Sequence, residues 1–296
     1  MLRLGLSDVR LQYLAEGAAN VVYRIQSAIP DIGTESDSES DRYGPLTPPP
    51  TETEPLYLSP ALEGKLVRLR KSLSTTVPVA ESHAHYETII SPLFPEESLV
   101  QAVLFQPSRD LLRECNADLR EMEKVGRRPE KRHGLYLAED EKHGCLITDM
   151  SWIFDDSFEC YELKPKWLVQ SPSAPIGSRR CRTCAQRAMK KANGEISNLA
   201  SFCPLDLVST DKARVAKIVP HVLGPLEDSK FSREQMRTLP RQVADFLYEN
   251  PLLHRLRDLQ LDLDPVGVLK AEFASSKFLA AMTLRDCSLF LKVDFP

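Results

Sequence analysis

Apolar and polar residues alternate with a period of two through the first part of the chain. Val21, Tyr23 and Ile25 alternate with Val22 and Arg24, and Leu66, Arg68 and Arg70 alternate with Val67 and Leu69. Successive side chains of a strand point to opposite faces, so the runs Val9 to Ile25 and Leu62 to Leu69 are predicted to form a hairpin. Residues 31–60 interrupt it with Ser, Glu, Asp and Pro, including Pro48-Pro-Pro50. Such a segment buries too little apolar surface to offset its ordering entropy and is expected to be a disordered insertion. A helix is predicted from Glu81 to Leu93, stopped by Pro92 or Pro95, and a second strand group from Gly134 to Met150. Farther on, apolar residues recur every three to four positions over Arg179 to Ala192, Lys212 to Leu223 and Arg233 to Tyr248, which predicts helices. The expected architecture is α+β and two-lobed, with a β-rich lobe over 1–150, a helix-richer lobe over 151–296 and a cleft between them.

The 296 residues, 42% of them apolar, suffice for two modest domains. A net charge of −4 argues against general nucleic-acid or membrane-surface binding, so any basic site must be local. No apolar run is long enough to span a bilayer and the N-terminus lacks signal-peptide features, so an intracellular protein, nuclear or cytoplasmic, is expected. Seven scattered cysteines do not resemble a disulfide framework. The one close pair, Cys181 and Cys184, has zinc-like spacing but no second Cys/His pair at finger distance; two small buried hydrophobes are the alternative, and no metal site is assigned.

Candidate chemistry concentrates in Cys160-Tyr-Glu-Leu-Lys-Pro-Lys166. If this segment is a strand, Lys164 and Lys166 share a face. Two adjacent ammonium groups repel unless an anion lies between them, and a polyphosphorylated ligand suits such a pair. The competing reading is a solvated strand face. The small-residue turn in Glu16-Gly-Ala-Ala-Asn-Val-Val-Tyr23 would let backbone amides approach phosphate oxygens closely.

Together with Leu66-Val-Arg-Leu-Arg-Lys71, Pro204-Leu-Asp-Leu207 and Met282-Thr-Leu-Arg-Asp-Cys-Ser288, these segments resemble, in order, the inositol-pentakisphosphate 2-kinase family, in its fungal form. Glu-x-Lys-Pro-Lys is the most specific element. The resemblance implies a divergent kinase-like fold that uses ATP and magnesium to phosphorylate the 2-hydroxyl of inositol pentakisphosphate, giving the hexakisphosphate, in a monomer. It implies that Gly17, Ala18, Ala19 and Asn20 cover the ATP phosphates, with Arg68 reaching in from the next strand and Asp149 at the hinge near the adenine. Lys164, Lys166 and Lys190 would bind the inositol phosphate, joined by Arg128, for which Arg132 is the close competitor. Asp286 would orient or deprotonate the accepting hydroxyl. A strand-edge role for Arg68, a strand-closing role for Asp149, a solvated helix face for Lys190 and a capping role for Asp286 are the bland alternatives.

After the Arg-Asp-Cys-Ser segment the resemblance implies a magnesium-binding Asp-Leu-Asp strand, which does not follow here. Asp262-Leu-Asp264 precedes that segment and is not taken as the metal site. A chain that binds inositol polyphosphates without turnover is therefore the alternative function. A generic protein kinase is a poor third reading, because the sequence has no His-Arg-Asp or Asp-Phe-Gly motif.

Overall fold

The computed structural model describes residues 1–27, 59–150, 158–196, 201–225, 229, 231–270 and 275–294. The chain divides into two compact units, Met1–Asp149 and Met150–Pro296. The predicted insertion at 31–60 falls almost wholly outside the described residues.

The first unit contains β1 (Leu2–Leu4), β2 (Val9–Glu16), β3 (Asn20–Ser27), β4 (Lys65–Arg70), α1 (Val79–His85), β5 (Ala102–Pro107), α2 (Arg109–Lys124) and β6 (Gly144–Thr148). The strands form one six-stranded sheet in the order β1-β5-β6-β4-β3-β2, antiparallel except for the β1–β5 pair. The predicted alternation is realised in β3 and β4. Val21, Tyr23, Val67 and Leu69 pack into the core with Phe105, while Arg68 lies on the opposite pleat. Helix α2 covers the core face through Leu111, Leu112, Cys115 and Leu119, and Ser108 caps its N-terminus by accepting from the Leu111 amide at 3.1 Å. The predicted helix at 81–93 begins earlier, at Val79. It continues through a π-helical segment, Tyr86–Ile90, and a 3₁₀ turn, Ser91–Leu93, ending before Pro95. The strand group expected over 134–150 is confined to β6, with Leu137 contributing one isolated bridge to Lys71.

The second unit contains β7 (Phe158–Leu163), α3 (Arg182–Ala192), α4 (Lys212–Ala216), α5 (Val219–Leu223), α6 (Arg233–Glu249), α7 (Pro251–Asp262), α8 (Ser276–Arg285) and β8 (Leu289–Asp294). β7 and β8 form an antiparallel ribbon with Leu163 opposite Leu289. The helix predicted over 212–223 is split in two, because Pro220 in the first turn of α5 has no amide to continue an α-helical ladder from α4. Helix α6 starts with a capping box, Ser232 with Gln235, and α7 with Asn250 followed by Pro251. Leu239, Val243, Leu247, Leu253, Leu256, Phe278 and Leu284 are all buried. Both units mix helix and strand, and the fold is α+β.

Gly144 shows how tightly the first core is filled. A Cβ placed there would lie 2.4 Å from the Phe105 ring and 2.9 Å from Leu69, whereas one on Gly17 would meet nothing within 4 Å. Gly144→Ala should therefore lower the unfolding free energy by about 1–3 kcal/mol through overpacking. Gly17→Ala should change it by less than about 0.5 kcal/mol; urea denaturation of the two variants tests the contrast.

Candidate active site

Lys164 and Lys166 follow the last residue of β7, so the strand geometry expected for them is not what aligns them. The strand ends at Leu163, and Lys166 takes the left-handed conformation, with φ 55°, alone among the described non-glycine residues. What aligns them is the β7–β8 register, which sets the Asp286-Cys-Ser288 turn beside the two lysines. Lys164 Nζ donates to Ser288 Oγ at 2.7 Å and pairs with Glu162 at 3.0 Å, and the Ser288 hydroxyl donates to the same carboxylate at 2.6 Å. Lys166 Nζ meets Asp286 Oδ1 at 2.6 Å, across 120 residues of sequence. Both ammonium groups thus reach one three-residue segment. The site is open: the Asp286 side chain is 79% exposed and that of Lys166 33%. The Ser288 hydroxyl, together with the Lys164 charge and against partial burial, holds the Glu162 carboxyl below its usual range. Burial pushes the neighbouring Cys287 thiol up to about 11, so it stays protonated.

Beneath this surface the neighbours of the reactive residues are buried. Arg285 lies flat on Trp167 at 3.9 Å and pairs with Asp264 at 2.7 Å. Asp264 is only 3% exposed and its other oxygen accepts from the Gly267 amide at 2.9 Å. Its carboxylate is committed to the fold, and Asp262 beside it faces solvent; the Asp262-Leu-Asp264 run does not fit a magnesium site.

Of the α3 cations, Arg182 lies over the Trp167 ring at 4.8 Å, whereas Arg187 and Lys190 make no hydrogen bond or ion pair with this cluster among the described residues. Lys190 is half-buried in the last turn and has no ion pair among the described residues. Arg187 donates to the Phe202 carbonyl at 2.5 Å. At the other end of the helix, Cys181, Cys184 and Cys203 place their sulfurs within 4.8 Å of one another. Burial and the two neighbouring sulfurs push Cys184 up to about 12, as expected of a neutral thiol cluster. Three sulfurs could hold a soft metal ion; Cys203 was not predicted, because nineteen positions separate it from Cys184 and only folding joins them.

In the first unit, Gly17 to Asn20 form the turn between β2 and β3. Gly17 N donates to the Asn20 carbonyl at 2.9 Å, and Ala19 O accepts from Lys71 N at 2.8 Å. The amides of Ala18 and Ala19 have no hydrogen bond among the described residues, which leaves two donors at an exposed turn. Arg68 is half-buried and without a carboxylate partner among the described residues, whereas Arg70 is bound by Glu141 at 2.6 Å and Thr76 at 3.0 Å. Asp149 follows β6, partly buried, its amide held by the Gly64 carbonyl at 2.8 Å.

Arg128 is placed differently from its expected ligand-facing role. Its side chain is fully buried, bonded to Glu16 at 2.8 and 3.0 Å, and in contact with Glu123 and the Leu135 carbonyl. Glu16 also pairs with the fully buried Lys71, whose Nζ donates to the Gly17 carbonyl at 2.9 Å. Burial alone would raise the Glu16 carboxyl, but the hydrogen bonds from Arg128 and Lys71 outweigh it and hold the group below its usual range. In this conformation the guanidinium has no atom to offer a phosphate. Arg132, the competitor, lies in a 3₁₀ turn with a half-exposed side chain. Lys71 shares the apolar pleat of Val67 and Leu69; a lysine at such a position has to be paired, and this was the available sequence signal for it.

Comparison with known proteins bears on these motifs. The sequence profile of the inositol-pentakisphosphate 2-kinase family matches residues 13–295. The chain belongs to this family. It is also 33% identical over 220 residues to an inositol-pentakisphosphate 2-kinase of Yarrowia lipolytica, an alignment covering 71% of this chain and 62% of that protein. It therefore spans less than two thirds of that relative's length. The α+β organisation accords with the kinase-like fold that inositol-pentakisphosphate 2-kinase membership implies.

The buried Lys71–Glu16–Arg128–Glu123 network sets a stability test. Arg128→Met leaves two carboxylates without their shared cation and should cost about 3–5 kcal/mol. Because the Glu16 carboxyl is depressed in the folded state, its contribution is present above the ordinary carboxylate range and is lost as pH falls through the depressed value. Urea midpoints of the wild type should therefore drop on acidification from about pH 6 to pH 3, and by less in Arg128→Met.

Proposed function

We propose that this chain carries out ATP-dependent phosphorylation of the 2-hydroxyl of inositol 1,3,4,5,6-pentakisphosphate, yielding the hexakisphosphate. The observation that carries the reading is the convergence of Lys164, Lys166 and Asp286 on one open edge, from motifs 120 residues apart. A ring crowded with phosphates would draw the two ammonium groups away from Glu162 and Asp286. Exposed ion pairs of this kind are worth about 0–1 kcal/mol and yield readily to a more highly charged anion. Displacing Lys166 frees the Asp286 carboxylate to accept the hydroxyl proton while the oxygen bonds to the γ-phosphorus and the bond to ADP breaks. Lys190 would add a further cation to the same substrate.

ATP fits the turn of the first unit, where the Ala18 and Ala19 amides and Arg68 would meet its phosphates. Magnesium is expected to arrive with the nucleotide and would neutralise phosphate charge; the Asp262–Asp264 run does not fit it, and no residue of this chain is assigned to hold it. The commitment of Asp264 to Arg285 favours a second reading, binding of inositol polyphosphates without turnover.

Incubating the purified chain with ATP, magnesium and inositol pentakisphosphate should generate hexakisphosphate, resolved by anion-exchange chromatography. Asp286→Asn should slow turnover by about 100-fold or more, and Lys164→Ala/Lys166→Ala should remove measurable calorimetric binding of the hexakisphosphate. A folded wild type that binds the hexakisphosphate but forms no product would establish the second reading instead. One that neither binds nor reacts would overturn both.

A further inference from the structure

Gln260, on α7, lies outside both segments of the lysine–aspartate cluster and hydrogen-bonds to each of them. It is 0% exposed. Its side-chain oxygen accepts from the Leu168 amide at 2.9 Å. Its side-chain nitrogen donates to the Lys166 carbonyl at 2.8 Å and to the Leu284 carbonyl at 3.3 Å. Its own backbone carbonyl accepts from Arg285 Nη2 at 3.0 Å. A buried amide has two donors and one acceptor oxygen to satisfy, and here all three are directed to backbone groups flanking Lys166 and Asp286.

The Lys166 backbone explains why such a tie is needed. A left-handed conformation is unfavourable for a residue with a Cβ and persists only where surrounding bonds over-determine it. At Lys166 those bonds are the Gln260 contact to its carbonyl and the wedging of Trp167 under Arg285. That conformation turns the chain at the end of β7, and from it the ammonium reaches Asp286. Without the amide, the 164–168 segment would relax toward an extended backbone and the separation between ammonium and carboxylate would no longer be set.

We propose that Gln260 is a positioning residue for the inositol-phosphate site: it fixes the Lys166 ammonium against Asp286 by tying the backbones that carry them. The inference rests on the functional reading above, in which Lys166 grips a substrate phosphate. It gives Gln260 a role in binding that is exerted through the Lys166 ammonium, with no contact to ligand, and this separates it from a general contribution to the core.

The test is a double-mutant cycle on the full chain, reading calorimetric affinity for inositol hexakisphosphate, which needs no turnover. Gln260→Met, similar in size and without donors, should weaken binding about 5- to 10-fold in the wild-type background. In the Lys166→Ala background the same change should weaken it by less than about 2-fold. Equal losses in the two backgrounds, or no loss in either, overturn the positioning role while leaving the functional reading intact. A wild type that fails to bind the hexakisphosphate overturns both. Should Gln260→Met fail to give the wild-type circular dichroism spectrum, Gln260→Glu takes its place in the cycle. The carboxylate keeps the acceptor for Leu168 but sets an oxygen against the Lys166 and Leu284 carbonyls. Its affinity deficit should shrink at lower pH, where a protonated carboxyl regains one donor; a pH-independent deficit overturns the proposal.

Discussion

The pairing of β7 with β8 is the constraint on which the candidate site depends. Neither strand carries much of the core, yet their register, Leu163 opposite Leu289, decides that Lys164 faces Ser288 and that Lys166 can reach Asp286. A slip of one residue in a strand pair turns every side chain to the other face. The same slip here would separate Lys164 from the Ser288 hydroxyl and Lys166 from the Asp286 carboxylate. Chemistry written in two motifs far apart in sequence thus becomes one site by virtue of a short ribbon, itself anchored by buried Leu163 on one strand and by the turn after α8 on the other.

The molecule contains two charge clusters of contrasting character. In the first unit, Lys71, Glu16, Arg128 and Glu123 form a largely buried, mutually neutralising set beneath the Gly17–Asn20 turn. Removing one partner from such a set leaves an uncompensated charge in a poorly solvated place, at a cost of about 3–5 kcal/mol, so its members are not free to trade partners. Lys71 in addition binds the Gly17 carbonyl. The network supports the turn through that bond, and the Ala18 and Ala19 amides take no part in it. In the second unit the pairs of Lys164 and Lys166 are solvated, with side-chain exposures of 51% and 33%, and exchange of a carboxylate for a phosphate is inexpensive there. Burial therefore separates cations that hold the scaffold from cations that can hold a ligand, and it does so more sharply than residue type.

That distinction also marks the limit of what was legible in the sequence. Strands β2 to β4 and helices α3 and α6 announce themselves by period, and the two lysines with Asp286 could be singled out from their motifs. Helix α2 was missed because its apolar stripe is interleaved with so many Arg and Glu residues that local hydrophobicity stays low. The resemblance made Arg128 a phosphate-binding residue, but Arg128 is buried against Glu123, five residues upstream, and Glu16, 112 residues away, and the approach of Glu16 is a fact of tertiary folding with no local trace. The expectation that i and i+2 residues share a strand face gave the right neighbours for Lys164 and Lys166 by the wrong geometry. Cys203 and Gln260 carry no motif of their own; each acquires its role from the distant segments it touches.

Adjacent residues at the end of α8 show how a rigid base and an available reactive group are combined. Arg285, the last residue of α8, is 2% exposed and Asp286, which caps the helix, faces solvent, so successive side chains pass from core to surface within one peptide unit. The helix ends there, with Asp286 at φ −119° and ψ 12°, and the chain enters β8 three residues later, at Leu289. Arg285 is held by Trp167, Asp264 and the Gln260 carbonyl. Trp167 in turn follows Lys166 directly in sequence and Arg285 directly precedes Asp286, so the ion pair at the surface sits above a cation–π pair built from the adjacent residues of both segments. A displacement of either segment must therefore disturb a buried, closely packed contact before it can separate the exposed one. This confines the mobile ammonium and carboxylate tips to a narrow range, the condition for a site that works by placing charge rather than by covalent chemistry.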